Sequence, residues 1–317
     1  MPIKPDRRLA LFEAASEALY VSHKHTLAGP DHSEPYFVRD FAFEAAKSMF
    51  ESWHDILSKG GVQLRVTSVF CHQTPKAHFS LNGSPVKPEL GDVVVVHDHL
   101  GLNPRRRALI IQAKMEAHPV DKVQLSLYKD WPPFSLHGYG ARHAKFATGN
   151  RSIGRNQFGA CYAIIRRGAA PPPIVGNHLK PWTFRFVQPH LVASGGRSRD
   201  AAIVVTNMIL GKSKSGRRAV ALTPSDLSTL THGGASIPSV GADLQWSITI
   251  QELINITGSR ELSAKMQTTG QRLRRTFYSS MQHGILGLMS AAGDNYQFMS
   301  GVPSVSPETQ KGVFISY

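Results

Sequence analysis

Two short, unbroken apolar runs near the middle of the chain limit its possible folds more than any other feature. Val93–Val96 and Leu109–Ile111 contain no polar residue, whereas a strand that faces water on one side alternates apolar and polar side chains. The interval between them holds Gly101, Asn103 and Pro104, which are typical of a hairpin connection. We therefore expect two adjacent strands at the centre of a sheet that is covered on both faces.

The sequence around these runs alternates helix and strand patterns, which is typical of an α/β fold. Apolar spacing predicts helices at Arg7–Leu19, Pro35–Leu57 and Val120–Lys129, of which the second is well buried. Strands are predicted at Val62–Cys71, Ala77–Leu81, Asp92–Val96, Ala108–Lys114 and Phe158–Ile165. The expected architecture is a central sheet flanked by helices.

Three consecutive prolines at 171–173 mark the best candidate for a domain boundary, because such a run continues neither a helix nor a central strand. We predict a first domain at residues 1–168, a linker at 169–175 and an α/β accessory region at 176–317. In that region the patterns predict a loop at 225–240, a strand at Thr183–Val187, and helices at Ala201–Leu210, Ser247–Ile256 and Leu262–Met281.

The charge of the chain favours a polyanionic partner. Its 317 residues carry 36 Lys plus Arg against 22 Asp plus Glu, which gives a net charge of +14 and a pI near 10.0. A field of this sign attracts nucleic acid and releases its counterions on binding. Because the basic residues are scattered, a generally basic globular protein stays open as an alternative on composition alone.

Cysteine content and hydropathy indicate a reducing compartment and no membrane partner. Only Cys71 and Cys161 are present, too few for a disulfide scaffold or a cysteine-based zinc site. The N-terminus lacks the apolar stretch of a signal peptide, and no apolar run approaches the roughly 20 residues of a spanning helix. We expect a cytoplasmic protein.

Two His-x-His sequences could ligate a metal ion. They are His23-Lys24-His25 and His97-Asp98-His99, and no further cluster of Cys or His completes a zinc set around either. We therefore expect both sequences in solvated loops.

Polar residues suited to a divalent-metal site stand at the ends of the two central strands. Asp92 begins the first strand, while Gln112 and Lys114 end the second, where alternate residues point to the same face. The main-chain carbonyl of Ala113 offers a further oxygen. Metal-assisted cleavage of a phosphodiester requires such hard oxygen ligands with a cation nearby.

This arrangement of Asp92 followed by Gln112-Ala113-Lys114 resembles the active site of the PD-(D/E)xK nuclease superfamily, which includes restriction endonucleases and RecB-type exonucleases. The resemblance implies a restriction-endonuclease-like core in the order αβββαβ, with Asp92 and Gln112 on Mg²⁺ or Mn²⁺ and Lys114 assisting the nucleophilic water. Gln112 replaces the usual Asp or Glu, as in the similar Mrr-like branch. A neutral amide binds a metal ion more weakly than a carboxylate.

A second motif follows on the third predicted helix. Gln124 and Tyr128 resemble the Gln-x-x-x-Tyr motif of RecB-like nucleases, and their spacing puts both on one helix face, within reach of the site or a DNA phosphate. The resemblance also implies a metal-binding Glu on the upstream helix, for which Glu44 is the first candidate and Glu51 the alternative.

A run of basic residues, Arg105-Arg106-Arg107, lies in the predicted hairpin beside this site and is a candidate for contact with a phosphate backbone. Together these features predict a metal-dependent endonuclease that acts on DNA rather than RNA. The resemblance further suggests bacterial defence against phage, with activity gated by a protein partner or by homo-oligomer formation. Two alternatives stay open: a nucleic-acid-binding module with an inactive site, for which Gln112 is the main argument, and a subunit that binds a protein partner through residues 176–317.

Overall fold

The computed structural model has a large mixed sheet with helices on both faces. The residues that the structure describes are 3–58, 62, 64–71, 75–100, 105–116, 120–137, 149–154, 158–168, 180–187, 198–222, 226, 241–256, 288–292, 295–299 and 315–316.

Helices and strands alternate along much of the described chain. The helices are α1 (Pro5–Ala28), α2 (Glu34–Asp40), α3 (Ala46–Ser58), α4 (Lys122–Asp130), α5 (Ala201–Ile209) and α6 (Ala242–Ile256), and a π-helical turn at Phe41–Ala45 joins α2 to α3. The strands are β1 (Leu64–Phe70), β2 (Lys76–Leu81), β3 (Ser84–Val86), β4 (Val93–His99), β5 (Arg105–Met115), β6 (Ser135–His137), β7 (Ala160–Ile165), β8 (Trp182–Arg185), β9 (Arg199–Asp200), β10 (Arg217–Ala219), β11 (Leu288–Ala292), β12 (Asn295–Met299) and β13 (Ile315–Ser316). Among the described helices, none has both the length and the apolar character needed to cross a membrane.

The main sheet has the strand order β12-β11-β13-β1-β4-β5-β7-β8-β9, and β10 pairs with β5. Strand β4 pairs antiparallel with both β1 and β5, whereas β5 and β7 are parallel and are connected through a crossover that contains α4. Strands β8 and β9 continue the sheet in antiparallel fashion. Strands β3, β2 and β6 form a second, three-stranded sheet.

The two apolar runs lie in the middle of the main sheet, as predicted. Every residue of Val93–Val96 is at most 2% exposed. Val93 and Val95 belong to a core beneath α1, α3 and α5, whereas Val94 and Val96 belong to a second core beneath α4 and α6. Because successive side chains of a strand point to opposite faces, a continuous apolar run requires a core on each side. The prediction of a sheet covered on both faces is confirmed.

The first helix is longer than predicted, and it contains His23 and His25. His23 is 1% exposed, its ring centroid lies 4.8 Å from that of Phe37, and its Nε2 lies 3.3 Å from the Gly168 carbonyl oxygen. His25 Nδ1 lies 3.0 Å from a carboxylate oxygen of Asp40 on α2. The loop prediction for this histidine pair is wrong, because both residues lie in α1, where His23 is buried against Phe37 and the exposed His25 contacts Asp40.

The sequence His97-Asp98-His99 is likewise no loop, because it forms the last part of β4. Asp98 is 3% exposed and accepts hydrogen bonds from Arg65 on β1 and Arg106 on β5, at 2.6 Å each. Burial raises the pKa of Asp98, but the two guanidinium groups outweigh it and hold that pKa below its usual value. These neighbouring strands therefore supply the charges that allow a carboxylate to remain inside the sheet.

Residues after the predicted linker share the cores of the residues before it. Strand β8 pairs with β7, and Trp182 and Phe184 pack in the same core as α1 and α3. Glu252 on α6 pairs with the fully buried Arg151 at 2.5 Å. The predicted division at 169–175 therefore does not divide the core. The proline run and the predicted helix at Leu262–Met281 lie outside the described residues, as does most of the predicted loop at 225–240.

Two buried imidazoles at the end of β4 link the stability of the fold to pH. Burial, and to a lesser degree His99, lower the pKa of His97 to about 3, although Asp98 acts in the opposite direction. Burial and Arg105 lower the pKa of His99 to about 4. In an unfolded chain a histidine takes up its proton near pH 6.5, so the folded state binds fewer protons than the unfolded state below that pH.

We predict that the free energy of unfolding falls as the pH is lowered from about 6.5 towards 4. The two imidazoles contribute up to ~2.7 kcal/mol per pH unit, because each withheld proton contributes ~1.4 kcal/mol per unit. Urea denaturation followed by tryptophan fluorescence at a series of pH values measures this slope. The change His97→Asn should remove about half of the contribution, whereas His32→Asn, at an exposed histidine, should leave it unchanged. A free energy that stays constant over this range would contradict the prediction.

Candidate functional site

Asp92 and Gln112 lie side by side on the two central strands. Val93 pairs with Ile111, and the Asp92 N–H donates to the Ile111 carbonyl at 2.8 Å, so the next position brings Asp92 beside Gln112. The two residues are buried, at 0% and 1% exposed. Their side chains lie on the side of the sheet that α4 covers, as the contact between Gln112 and Gln124 shows.

Two donors hold the carboxylate of Asp92. Its Oδ2 accepts a hydrogen bond from Gln112 Nε2 at 2.5 Å and another from the Ala113 N–H at 2.7 Å. Gln112 Nε2 also lies 3.5 Å from the Ala113 carbonyl oxygen. The carboxylate oxygen and the carbonyl oxygen thus converge on one point, which the partly positive amide nitrogen of Gln112 occupies.

A chain of amide groups connects this point to α4. The Nε2 of Gln124 donates to Gln112 Oε1 and, at 3.0 Å, to the main-chain carbonyl of Glu89. A carbonyl oxygen can only accept, so it directs the nitrogen of Gln124 towards Glu89. That nitrogen in turn requires the oxygen of Gln112, which leaves the Gln112 nitrogen facing Asp92. One main-chain carbonyl therefore sets the orientation of both amides.

Tyr128 is the second residue of α4 at the site. Its buried hydroxyl donates to the Leu90 carbonyl at 2.7 Å. Burial, assisted by the neighbouring Tyr162 and Asp92, raises the pKa of Tyr128 well above its usual value, so the hydroxyl remains a donor. Gln124 and Tyr128 therefore both bind the segment that leads into Asp92. They fix the main chain that immediately precedes the Asp92 carboxylate.

Gly91 lies between this segment and Asp92, at a place without room for a side chain. A Cβ there would lie 2.5 Å from Cγ2 of Ile110 and 3.2 Å from both the Ile111 carbonyl oxygen and the Tyr128 hydroxyl oxygen. The close approach of β4, β5 and α4 at this point therefore requires glycine.

Lys114 pairs with an acidic residue of the upstream helix. Its Nζ lies 3.4 Å from Oε1 of Glu34, and the Met115 N–H donates to Oε2 of the same carboxylate at 3.3 Å. Glu34 is the first residue of α2, whereas the sequence pattern placed the start of this helix at Pro35. The sequence signal was the acidic residue at the helix N-terminus, but nothing local connected it with β5.

The predicted upstream residues Glu44 and Glu51 lie elsewhere. Glu44 is on the π-helical turn and Glu51 is on α3, and both side chains are exposed. The helix approaches β5 with its N-terminal end, so Glu34 is the acidic side chain that reaches the motif. Glu34, rather than the predicted Glu44, is therefore the acidic residue that contacts the motif.

The arginine run belongs to β5 rather than to the hairpin turn. Arg106 and Arg107 are each 6% exposed, and they donate to Asp98 and to the Gly216 carbonyl at 2.6 and 2.7 Å. The prediction of phosphate contact is wrong for these two residues, because they stabilise the sheet and the connection to β10. Arg105 is exposed, but it begins β5 at the end remote from the site.

Two oxygen atoms at the site are of the chemical type that binds a divalent cation. A carboxylate from Asp92 and a carbonyl from Ala113 are the hard ligands that Mg²⁺ prefers. Gln112 presents its nitrogen in this direction and becomes a ligand only if its amide is reversed. Among the described residues, no group of three or more His, Cys, Asp and Glu side chains could hold a metal ion.

The fold brings together four of the polar residues singled out from the sequence, namely Asp92, Gln112, Gln124 and Tyr128. Lys114 lies two residues beyond Gln112 on the same strand. Comparison of the chain with models of known families, with curated proteins and with solved structures found no match.

We predict that Gly91→Ala lowers the free energy of unfolding by ~1–3 kcal/mol, because the added methyl must displace Ile110 or Tyr128. Gly168→Ala is the matched control, since a Cβ at Gly168 meets nothing within 4 Å, and its effect should stay within ~0.5 kcal/mol. Urea denaturation measures both changes. Equal stability of the two variants would show that the strands and α4 do not approach as closely as described.

Proposed function

We propose that this chain is a metal-dependent nuclease that hydrolyses phosphodiester bonds of DNA. The observation that carries the proposal is the convergence of the Asp92 carboxylate and the Ala113 carbonyl on one point, with the Lys114 ammonium on the same strand. Hard oxygen ligands and a cationic side chain around one point are the requirements for binding a divalent ion next to a scissile phosphate.

The order of the elements supports the same proposal. Helix α3, strands β1, β4 and β5, helix α4 and strand β7 follow one another in the order αβββαβ, once the small sheet is set aside. Three antiparallel strands are followed by a parallel one across a helical crossover. We infer a restriction-endonuclease-like core, to which β8, β9 and α5 are added.

Each residue then has a distinct role. Asp92, the Ala113 carbonyl and a reversed Gln112 would hold Mg²⁺ or Mn²⁺, which when bound polarises the phosphate and activates water. Lys114 stabilises the negative charge of the phosphate or orients the attacking water. Glu34 is a positioning residue, because its carboxylate lies 3.4 Å from the Lys114 ammonium.

Binding of an ion by Gln112 is coupled to α4. A reversed Gln112 would direct its NH₂ group at the NH₂ group of Gln124, and two donors form no hydrogen bond. Gln124 would then have to turn away from the Glu89 carbonyl, which costs the 3.0 Å hydrogen bond. We therefore expect weaker ion binding than at a site with a second carboxylate.

A second candidate function is nucleic-acid binding without cleavage. The orientation of Gln112 favours it, because the amide nitrogen, which cannot bind a cation, faces the Asp92 carboxylate. The net charge of +14 supports both functions equally.

The proposal includes a cellular compartment and a biological role. We place the protein in the cytoplasm, since Cys71 and Cys161 are unpaired and buried. The resemblance to defence nucleases favours DNA as substrate, a role against phage, and gating by a protein partner or by a second copy of the chain.

Cleavage assays test the proposal directly. We predict that the purified chain cuts DNA with Mg²⁺ or Mn²⁺ and that EDTA abolishes cutting. Asp92→Asn and Lys114→Ala should each lower the rate roughly 100-fold or more. The matched variants Asp130→Asn and Lys122→Ala, at exposed residues of α4, should cut like the unaltered protein. Folded protein that binds DNA but cuts neither DNA nor RNA would establish the second candidate function instead.

We further predict that Gln112→Glu creates a metal-responsive protein. Without a metal ion the new carboxylate faces Asp92, so the thermal midpoint should fall, as expected for a like-charge pair costing ~1–3 kcal/mol. Added Mn²⁺ should raise the midpoint more than in the unaltered protein, since the ion lies between the carboxylates. The double variant with Asp92→Asn holds one carboxylate and should lose this extra response. An equal response in all three proteins would rule out ion binding at this point.

A further inference from the structure

The small sheet of β2, β3 and β6 is attached directly to the candidate site. The Ala77 N–H donates to the Pro88 carbonyl, and the Leu90 N–H donates to the Pro75 carbonyl, both at 2.9 Å. Residues 88–90 are also the segment that α4 binds, and they immediately precede the loop into Asp92. The small sheet is therefore a rim of the site rather than a separate module.

One face of this sheet is apolar and buried, and the other is basic. Ala77, Phe79 and Leu136 are at most 6% exposed and pack in the second core. The opposite face, called here the histidine face, consists of Lys76, His78, Lys87, Ser135 and His137. Register places Lys76 opposite His137 and His78 opposite Ser135, and Lys87 follows β3 beside His78.

The two imidazoles of the histidine face are stacked on each other. The rings of His78 and His137 are parallel within 5°, with centroids 3.7 Å apart. The Ser135 hydroxyl lies 3.0 Å from His137 Nε2 and fixes the outer ring. His137, Lys76 and Lys87 are exposed, so solvent reaches this surface.

The charge of the histidine face suits an anion. Strands β2, β3 and β6 contain no Asp or Glu, and the acidic residue nearest in pairing is Glu89, whose main chain forms an antiparallel β-bridge with that of Lys76. Two ammonium groups and two imidazoles thus stand against one carboxylate. Burial, His137, Lys87 and Lys76 all lower the pKa of His78, so the immediate surroundings of this imidazole carry positive charge.

We propose that the histidine face binds a single nucleic-acid strand, with phosphates on Lys76 and Lys87 and a base stacked on His137. Stacking on an aromatic side chain combined with cations along the backbone is the general mode of single-strand binding. This proposal rests on the proposed function, because it names the surface that leads a strand to Asp92. The imidazole pair favours nucleic acid over other polyanions, which have no base to stack.

Protonation should be coupled to binding at this face. A phosphate beside His78 favours the charged form of this imidazole and offsets the repulsion from Lys76 and Lys87. The complex therefore takes up a proton, and affinity rises as the pH is lowered below about 6.5.

The test is fluorescence anisotropy of a labelled single-stranded oligodeoxynucleotide with the full chain in EDTA, where no cleavage interferes. We expect His137→Ala to weaken binding roughly tenfold, and the double variant with His78→Ala to reduce its pH dependence as well. Lys76→Glu should weaken binding by a similar factor and lower the slope against log salt by about 0.7 or more. Lys24→Glu, an equal charge change at an exposed residue of α1, should change affinity less than about twofold.

Three results would overturn the proposal. The first is equal loss of affinity in Lys24→Glu and Lys76→Glu, which would show that net charge alone attracts the strand. The second is competition by heparin as effective as by unlabelled single-stranded DNA, which would exclude base stacking. The third is unaltered binding by the His137 variant of a chain that does cut DNA, which would leave the proposed nuclease intact. Loss of binding in the His137 variant of a chain that does not cut DNA would support this proposal and contradict the proposed nuclease.

Discussion

The buried carboxylate of Asp92 is the constraint on which the site depends. Removing a carboxylate from water costs several kcal/mol unless hydrogen bonds replace its hydration. Here Gln112 and the Ala113 N–H donate these hydrogen bonds. Gln124 donates in turn to Gln112, and the Glu89 carbonyl orients the amide of Gln124. Each hydrogen bond to the charged carboxylate contributes ~1.5–3 kcal/mol. Loss of any one residue of this series would leave the next residue without its hydrogen-bond partner. The strands and α4 are therefore joined by polar contacts in addition to the apolar core.

The same hairpin carries a second buried charge at its other end. Asp98 is held by Arg65 and Arg106, and this set of contacts has no open oxygen-rich point of the kind found at Asp92. The difference is chemical: two guanidinium groups neutralise Asp98, whereas Gln112 and Ala113 give Asp92 hydrogen bonds from neutral donors. Asp98 therefore stabilises the sheet, and Asp92 is the carboxylate for which we propose a functional role.

The amide orientation also links the two candidate functions. With its nitrogen towards Asp92, Gln112 stabilises the carboxylate through a hydrogen bond. With its oxygen there, the same side chain would complete a set of oxygen ligands. The histidine face adjoins this point through residues 88–90, so a strand held on it would pass close to Asp92. Recognition and chemistry are thus proposed for neighbouring elements that share one segment of main chain.

Several features followed from the sequence alone. The apolar runs determined the central strands, and alternation along β5 determined that Gln112 and Lys114 share a face. The spacing of Gln124 and Tyr128 likewise set their common helix face, because all these patterns are local consequences of strand and helix geometry. Asn82-Gly83, with φ of 52° and 82°, joins β2 to β3 and is a hairpin signal that could have revealed the small sheet.

Only the tertiary structure decided which polar residues are buried and what they contact. Glu34, Arg106 and His97 depend on partners that lie far along the chain or across the sheet, so no local pattern distinguishes them from solvated residues. The orientation of Gln112 depends on a main-chain carbonyl 23 positions earlier, as the numbers of Gln112 and Glu89 show. Periodicity reports which face of an element is covered, whereas the burial of a polar group is favourable only when its partner is in place.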